Sequence, residues 1–213
     1  ERDTLGADGY LMDAAASGLT IAAPEPQGLF YGLITAVQSL SADGFVPVGR
    51  ARDYAYYPIR SGMIDVARAY LPLAYVEEIT KYYAYFKLNE IHLHINDIGE
   101  NGYFIFRLES DVEGLTATDG FYSKEDYRAY QKRMLDYGVT VITEIDTPAH
   151  SACFKAVVPE LMLDDRHLDV SKPETVEFIK NLFDEYITGD DPVFVSKKVH
   201  IGTDEYPIEY SEQ

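Results

Sequence analysis

From residue 58 onward the chain alternates short apolar runs with amphipathic ones, and this rhythm restricts its fold more than any other feature. "IRSGMIDVA" (59–67) reads as a strand. "LAYVEEITKYYAYFK" (73–87) reads as a helix, because Val76, Ile79, Tyr83 and Phe86 recur at three- and four-residue steps. "LNEIHLHIND" (88–97) is a strand, and residues 98–122 form a long loop bearing glycines and acids. "SKEDYRAYQKRMLDYG" (123–138) is a helix with Ser123 as cap, Asp126 in its first turn and Gly138 as its stop. "VTVITEID" (139–146) is a strand, "SKPETVEFIKNLFDEYI" (171–187) a helix starting at Ser171, and "KKVHIGTDE" (197–205) a fourth strand. The order β-α-β-α-β-α-β implies parallel strands joined by right-handed crossovers. An open doubly wound sheet and a (β/α)8 barrel both satisfy it. No Gly-rich phosphate loop follows the first strand, where "DVARAYLP" stands, so a dinucleotide fold loses weight.

Ahead of this lies a smaller unit ending near residue 55. Residues 9–23 read as two strands turning at Ser17-Gly18, 28–40 as a helix, and "SADGFVPVG" as a break. Net charge is −18 with no basic block, which makes nucleic acid and anionic membrane poor partners and favours a neutral or cationic ligand. No apolar run reaches the roughly 18 residues of a membrane span. Cys153 is the single cysteine, so neither an internal disulfide nor a Cys-based zinc site is available. The chain begins "ERDTLG", without an initiator Met, and reads as an excised piece of a longer protein.

The acids collect at one end of the expected sheet. Strand two ends at Asp97, strand three at Glu144 and Asp146 followed by His150, strand four at Asp204-Glu205. In parallel α/β folds ligands bind at the carboxyl ends of the strands. Adjacent carboxyls in unequal surroundings suit acid/base work. A regular strand would turn Asp204 and Glu205 to opposite faces, so both reach one site only if the strand ends or twists at Thr203.

These residues carry a resemblance. "RSGMIDVARAYLP", "KLNEIHLHIND", "VITEIDTPAHS" and "HIGTDEYP" are similar, in the same order, to the motifs RG-x-x-x-D-x-x-R, K-(M/L)-N-x-(L/F)-H-x-H-L-x-D, (V/I)-I-P-E-(I/F)-D-x-P-G-H and H-(I/L)-G-G-D-E-V of the family 20 glycoside hydrolases, the β-N-acetylhexosaminidases and lacto-N-biosidases. Thr143 stands for that family's Pro, and Ala149 and Thr203 for two of its glycines. The resemblance implies that residues 56–213 are the first half, about four β/α units, of a (β/α)8 TIM barrel. Residues 1–55 would be the C-terminal part of a small α/β accessory domain.

It also implies roles. Glu205 would be the general acid/base, kept protonated by burial and by Asp204. Asp204 would hold the substrate's 2-acetamido group, whose oxygen attacks the anomeric carbon to give an oxazolinium. Asp97 and His150 would form an Asp97–His150–Glu205 relay, and Arg60 would grip sugar hydroxyls or pair with Glu144 or Asp146. Glu144 and Asp146 would support the site without touching substrate. His92 and His94 read as a packed pair.

No cofactor or metal is expected on this reading. The expected partner is a glycan with terminal N-acetylhexosamine, the expected setting secreted or cell-surface, and open sheet edges favour self-association of the fragment. Two alternatives stand beside it: a metal-dependent barrel hydrolase using His92, His94, His150, His200 and Asp204, weakened because His200 begins its strand, and a non-catalytic sugar-binding module.

Overall fold

The computed structural model describes residues 5–99 and 104–207. The chain divides into two compact units, Glu1–Arg60 with Tyr83–Asn89, and Ser61–Tyr82 with Glu90–Gln213.

In the first unit, β1 (Tyr10–Ala15), β2 (Gly18–Ala22) and β3 (Gly49–Asp53) form an antiparallel sheet in the order β2-β1-β3. Met12 lies opposite Ile21 on one side and Ala51 on the other. Helix α1 (Pro26–Gln38) starts at a proline, where a missing N–H costs nothing. It lies close on the sheet because Gly32 is bare: a Cβ there would stand 2.4 Å from Ile21 Cγ2. Tyr10, Met12, Tyr31 and Ala36 make the buried core. Strand β3 is absent from the sequence reading, since "GRARD" offers almost no apolar alternation; Arg50 instead anchors it to Asp13 across the sheet.

In the second unit β4 (Ser61–Asp65), β5 (Glu90–His94) and β8 (Thr140–Glu144) form a parallel sheet in the order β4-β5-β8. Its register sets His94 beside both Asp65 and Glu144, so the last residues of all three strands are polar and form one row. Helix α2 (Leu73–Tyr85) connects β4 to β5, and α3 (Lys124–Asp136) leads into β8. As expected, Ser123 caps α3 by accepting from the Asp126 N–H, and Gly138 follows its end with φ +69°. Tyr127 packs wholly buried on β8, its hydroxyl 2.7 Å from that of Thr143, and the Tyr130 and Thr80 hydroxyls, 2.8 Å apart, link α3 to α2. Helix α4 (Pro173–Ile187) follows β8. Its start is set by Pro173, while Ser171 turns its hydroxyl onto Asp169 instead of capping it.

Two expectations change. The strand read over 88–97 breaks at Ile95: Asn96–Ile98 (β6) leaves the sheet to pair antiparallel with Phe104–Phe106 (β7), inside the stretch read as loop. Residues 100–103 of that stretch lie outside the described residues. Arg107, which follows β7, is 1% exposed. It donates to the carbonyls of Val66, Ala67 and Gly120 and pairs with Asp119 at 2.5 Å. The fourth strand is reduced to one parallel bridge between Glu144 and His200. The His200 N–H donates to Thr143 O, and His200 O and Ile201 O accept from Ile145 and Thr147. The segment runs beside β8 in the expected direction, then is turned away by positive φ at Gly202 (+70°) and Thr203 (+83°). Among the described residues the sheet does not close into a barrel.

Candidate active site

The row of polar strand ends continues into a cluster centred on Asp97. Its Oδ2 accepts from His94 Nε2 at 3.0 Å, from His150 Nδ1 at 3.0 Å and from Arg68 Nη2 at 2.6 Å; Oδ1 accepts from the Ile98 N–H at 2.6 Å. Burial opposes its charge, but the bonds from His150 and His94 outweigh that and hold the carboxyl far below the ordinary range. The other ring nitrogen of His150 lies 3.3 Å from Glu205 Oε2. Asp97, His150 and Glu205 are therefore in line.

Glu144 anchors a second branch. Its Oε2 accepts from His92 Nε2 at 2.9 Å and from His94 Nδ1 at 2.8 Å, and its Oε1 is 2.9 Å from His200 Nδ1. His94 is thus held between two carboxylates. Ionised carboxylates only accept, so both its nitrogens donate and the ring is an imidazolium. Burial works against that charge, yet Asp97 and Glu144 push His94 up to about 10. Glu144 is lowered despite its burial by the same histidines. His92 and His94 are accordingly members of a charged network rather than a simple packed pair. His200 stands beside the end of β8, its ring 4.4 Å from that of His92 and tilted 39° to it, and not at the opposite end of the sheet.

Asp146 is a third buried acid of the cluster, 1% exposed. Its Oδ1 accepts from the Thr203 N–H at 3.2 Å, and burial, with Asp204 and Glu144 nearby, pushes it up to about 7 against the pull of His150. The carboxyl sits so close to the chain that a Cβ on residue 202 would lie 1.6 Å from Oδ1. Asn96 fixes the bend behind it, accepting from the Asp146 N–H and donating to the carbonyls of Asp146 and His150.

Positive φ recurs here at His150 (+49°), Thr203 (+83°) and Glu205 (+56°). For a β-branched residue such as Thr203 that is an unfavourable conformation, and such strain concentrates at functional sites. It answers how two adjacent acids reach one place. The regular chain has ended, Asp204 comes within 4.8 Å of both Asp146 and His150, and Glu205 meets the other side of the same imidazole.

An open cavity of about 410 Å³ adjoins the cluster, lined by Arg68, Asp97, His150, Arg166, His167 and Glu205 among others. Glu205 is 75% exposed on its side chain, so the burial expected for it is not present; the carboxyl that burial pushes up is Asp146. Arg60 is placed elsewhere. It precedes β4, at that strand's amino end, and its guanidinium is taken up by Asp8 at 2.7 Å, Tyr31 Oη and the carbonyls of Lys87 and Tyr57. It pairs with neither Glu144 nor Asp146. Arg68 was not singled out in the sequence, and His94 was read only as half of a packed pair with His92 or as a ligand of the metal alternative. Their signal was spacing: Arg68 lies three residues after the strand-end acid Asp65, and His94 shares a face with His92.

Among the described residues, three groups of ligand-type atoms lie within 4.8 Å of one another: His92, Glu144 and His200; His94, Glu144 and Asp146; Asp146, His150 and Asp204. Most of these side chains already satisfy one another as hydrogen-bonded His–carboxylate pairs, which is an alternative to a metal ion.

Comparison with known proteins adds independent evidence. Residues 57–213 match the glycosyl hydrolase family 20 catalytic domain and residues 1–54 match domain 2 of that family. The chain is 29% identical over 243 aligned positions to a β-hexosaminidase of Akkermansia muciniphila, covering 100% of this chain and 48% of that protein. It is 28% identical over 212 positions to a lacto-N-biosidase of Bifidobacterium bifidum, covering 96% of this chain and 18% of the other. Among solved structures, the β-N-acetylhexosaminidase of Streptomyces coelicolor superposes with a TM-score of 0.83 at 28% identity, over 94% of this chain and 46% of that one. A mutant Streptomyces plicatus β-hexosaminidase in complex with its product GlcNAc gives 0.83 at 26% identity, over 95% and 46%. The chain thus spans about half or less of the relatives it matches, and with both of its units matched in order it belongs to glycosyl hydrolase family 20.

Proposed function

We propose that the protein containing this chain removes β-linked N-acetylhexosamine from glycans, with retention, the substrate's own acetamido oxygen serving as nucleophile. The observation that carries the reading is the convergence on His150: Asp97 at 3.0 Å on one nitrogen, Glu205 at 3.3 Å on the other, and Asp204 beside it. Glu205 faces the open cavity, where it protonates the leaving oxygen and then activates water. His150, oriented by Asp97, sets the position of that carboxyl. Asp204 receives the acetamide N–H and balances the cation that forms as its oxygen attacks. No carboxylate of the chain bonds to the sugar.

On this reading the three parallel strands and the 199–201 segment are the opening of a (β/α)8 barrel, residues 1–55 end an accessory domain, and further strands enclose Glu205. The glycan substrate and a secreted or cell-surface setting follow from the same reading; no helix of the described residues is long and apolar enough to cross a membrane. Release of a chromophore from an N-acetylglucosaminide by the full-length protein, unaffected by chelator, is the expected result. The three His–carboxylate groups within 4.8 Å favour a metal-dependent hydrolase as the second reading. Activity abolished by chelation and restored by a divalent ion would replace the first reading with the second.

A further inference from the structure

Arg166 is an exposed cation on the segment between β8 and α4, and it lines the cavity shared by His150 and Glu205. Its main chain is fixed on both sides. The Arg166 N–H donates to Asp164 Oδ1 at 2.8 Å, and the Arg166 carbonyl accepts from the N–H of Ser151, the buried neighbour of His150, at 2.9 Å. One residue on, the His167 N–H donates to the same Asp164 oxygen, and the Leu168 N–H donates to Pro148 O. The guanidinium is thus carried on a base tied directly to the loop that bears His150. The acids of its own turn are taken, Asp164 by those N–H groups and the His167 ring at 2.8 Å, Asp165 by Lys155. Arg50, Arg60, Arg68, Arg107, Arg128 and Arg133 each pair with a carboxylate. Among the described residues the Arg166 guanidinium pairs with none, although acids outnumber Lys and Arg in the chain by 36 to 18.

We infer that the ligand of this cavity is a glycan bearing an anionic group, a sulfate or a carboxylate, and that Arg166 receives that group. The inference deepens the hexosaminidase reading and rests on Glu205 being the acid that meets the scissile bond. A net charge of −18 by itself favours a neutral or cationic ligand, and so do the Asp97 and Glu205 carboxylates in the cavity wall. Against that background an anion needs a local cation whose donors are still open. Arg68 has both terminal nitrogens on carboxylates, Asp65 and Asp97, at 2.6 Å each. His167 has turned Nδ1 to Asp164. Arg166 keeps a planar fork of donors that matches two oxygens of a sulfate or carboxylate, and its charge is permanent near neutrality. A sugar hydroxyl would use only a donor; an anion uses the charge as well. The side chain therefore separates charged from neutral glycans and takes no part in proton transfer.

The test uses the full-length protein and three substrates: 4-nitrophenyl N-acetylglucosaminide, its 6-O-sulfate, and the analogue with a carboxylate on the aryl ring. For each, kcat/KM is measured in the wild type and in Arg166→Gln, Arg166→Lys and Arg166→Glu, with thermal unfolding as the check on folding. The readout is the ratio of kcat/KM for an anionic substrate to that for the neutral one. Comparing this ratio between proteins cancels the intrinsic reactivity of each leaving group. Arg166→Gln should lower the ratio by about 5–30-fold, Arg166→Lys by less, and Arg166→Glu by more, because like charge then repels the ligand. A fall on the sulfated substrate places the anion on the released sugar, and a fall on the aryl carboxylate places it on the leaving group. Ratios within about 2-fold of wild type for both anionic substrates overturn the inference, as does a loss equal on all three substrates. If Arg166→Gln does not fold, a ratio lower in Arg166→Glu than in Arg166→Lys upholds the inference, and equal ratios overturn it. If the wild type cleaves none of the three, the hexosaminidase reading fails, and calorimetry with the same compounds still decides. Binding of an anionic compound that is tighter than that of the neutral one, and loses this advantage in Arg166→Gln, upholds the inference; equal binding, or none, overturns it.

Discussion

Gly202→Ala and Thr203→Gly, adjacent substitutions, should change stability in opposite directions. Gly202 has φ +70°, and a Cβ placed on it would lie 1.6 Å from Asp146 Oδ1, 2.3 Å from Cγ and 2.8 Å from Cα. Two of these are side-chain atoms that can rotate away, but Cα is backbone. Holding alanine at positive φ costs about 1–2 kcal/mol. Displacing the Asp146 carboxyl breaks its bond from the Thr203 N–H, about 1–3 kcal/mol for a buried group left unpaired. The sum is roughly 2–5 kcal/mol. Thr203, at φ +83°, already bears the first cost, so Thr203→Gly should recover about 1 kcal/mol, reduced by the added freedom of glycine in the unfolded chain. Urea unfolding of the full-length variants, compared at equal m-values, measures both. Gly202→Ala should also lower kcat by at least about tenfold, because the same turn places Asp204 and Glu205. A Gly202→Ala variant within about 0.5 kcal/mol of wild type would refute the reasoning.

Glu205→Gln should reduce cleavage of substrates with poor leaving groups by roughly 10²–10⁴-fold and those with good ones much less; equal losses argue against Glu205 as proton donor. Asp204→Asn should lower kcat more than it weakens ground-state binding, and a thiazoline mimic of the cyclised intermediate should lose most of its affinity for that variant. A covalent glycosyl adduct trapped on any carboxylate of the chain would defeat that scheme. Asp146 is pushed up to about 7 from the ordinary value near 3.8, so its contribution to stability is fully present below about pH 4 and is lost as pH rises through 7. Asp146→Asn, which can still accept from Thr203, should remove that decline and raise the melting temperature at pH 8; an unchanged pH profile would show that the carboxyl is not strained by burial. Asp97 and Glu144 are lowered, so their contribution holds above the ordinary carboxylate range and is lost on acidification, which should set the acid limb of unfolding.

What was legible in the sequence was what periodicity and strand ends encode. The helices α2, α3 and α4 were legible because their apolar residues recur on one face, and Ser123 because a cap has a local signature. Asp97, His150, Asp204 and Glu205 stood at strand ends, and the structure brings them together within one cluster. The failures share a cause. Strand β3 is held by pairing to β1 rather than by its own composition, and β6–β7 is defined by a partner eight residues away across a loop. Arg60 sits in a motif that resembles a sugar contact, yet its guanidinium is claimed by Asp8 and Tyr31, remote in sequence. The exposure of Glu205 and the burial of Asp146 depend on which atoms surround each carboxyl, and no pattern along the chain reports that.

The burial of Arg107 gives the β6–β7 pair a second anchored foot. At one foot Asn96 is bonded to the Asp146 and His150 backbone; at the other Arg107 is locked to Val66, Ala67 and Asp119. Asp97, paired with Ile105 across the two strands, lies within the anchored foot and takes its place from these bonds. Such a construction lends a carboxylate that has left the parallel sheet the fixity of one still within it.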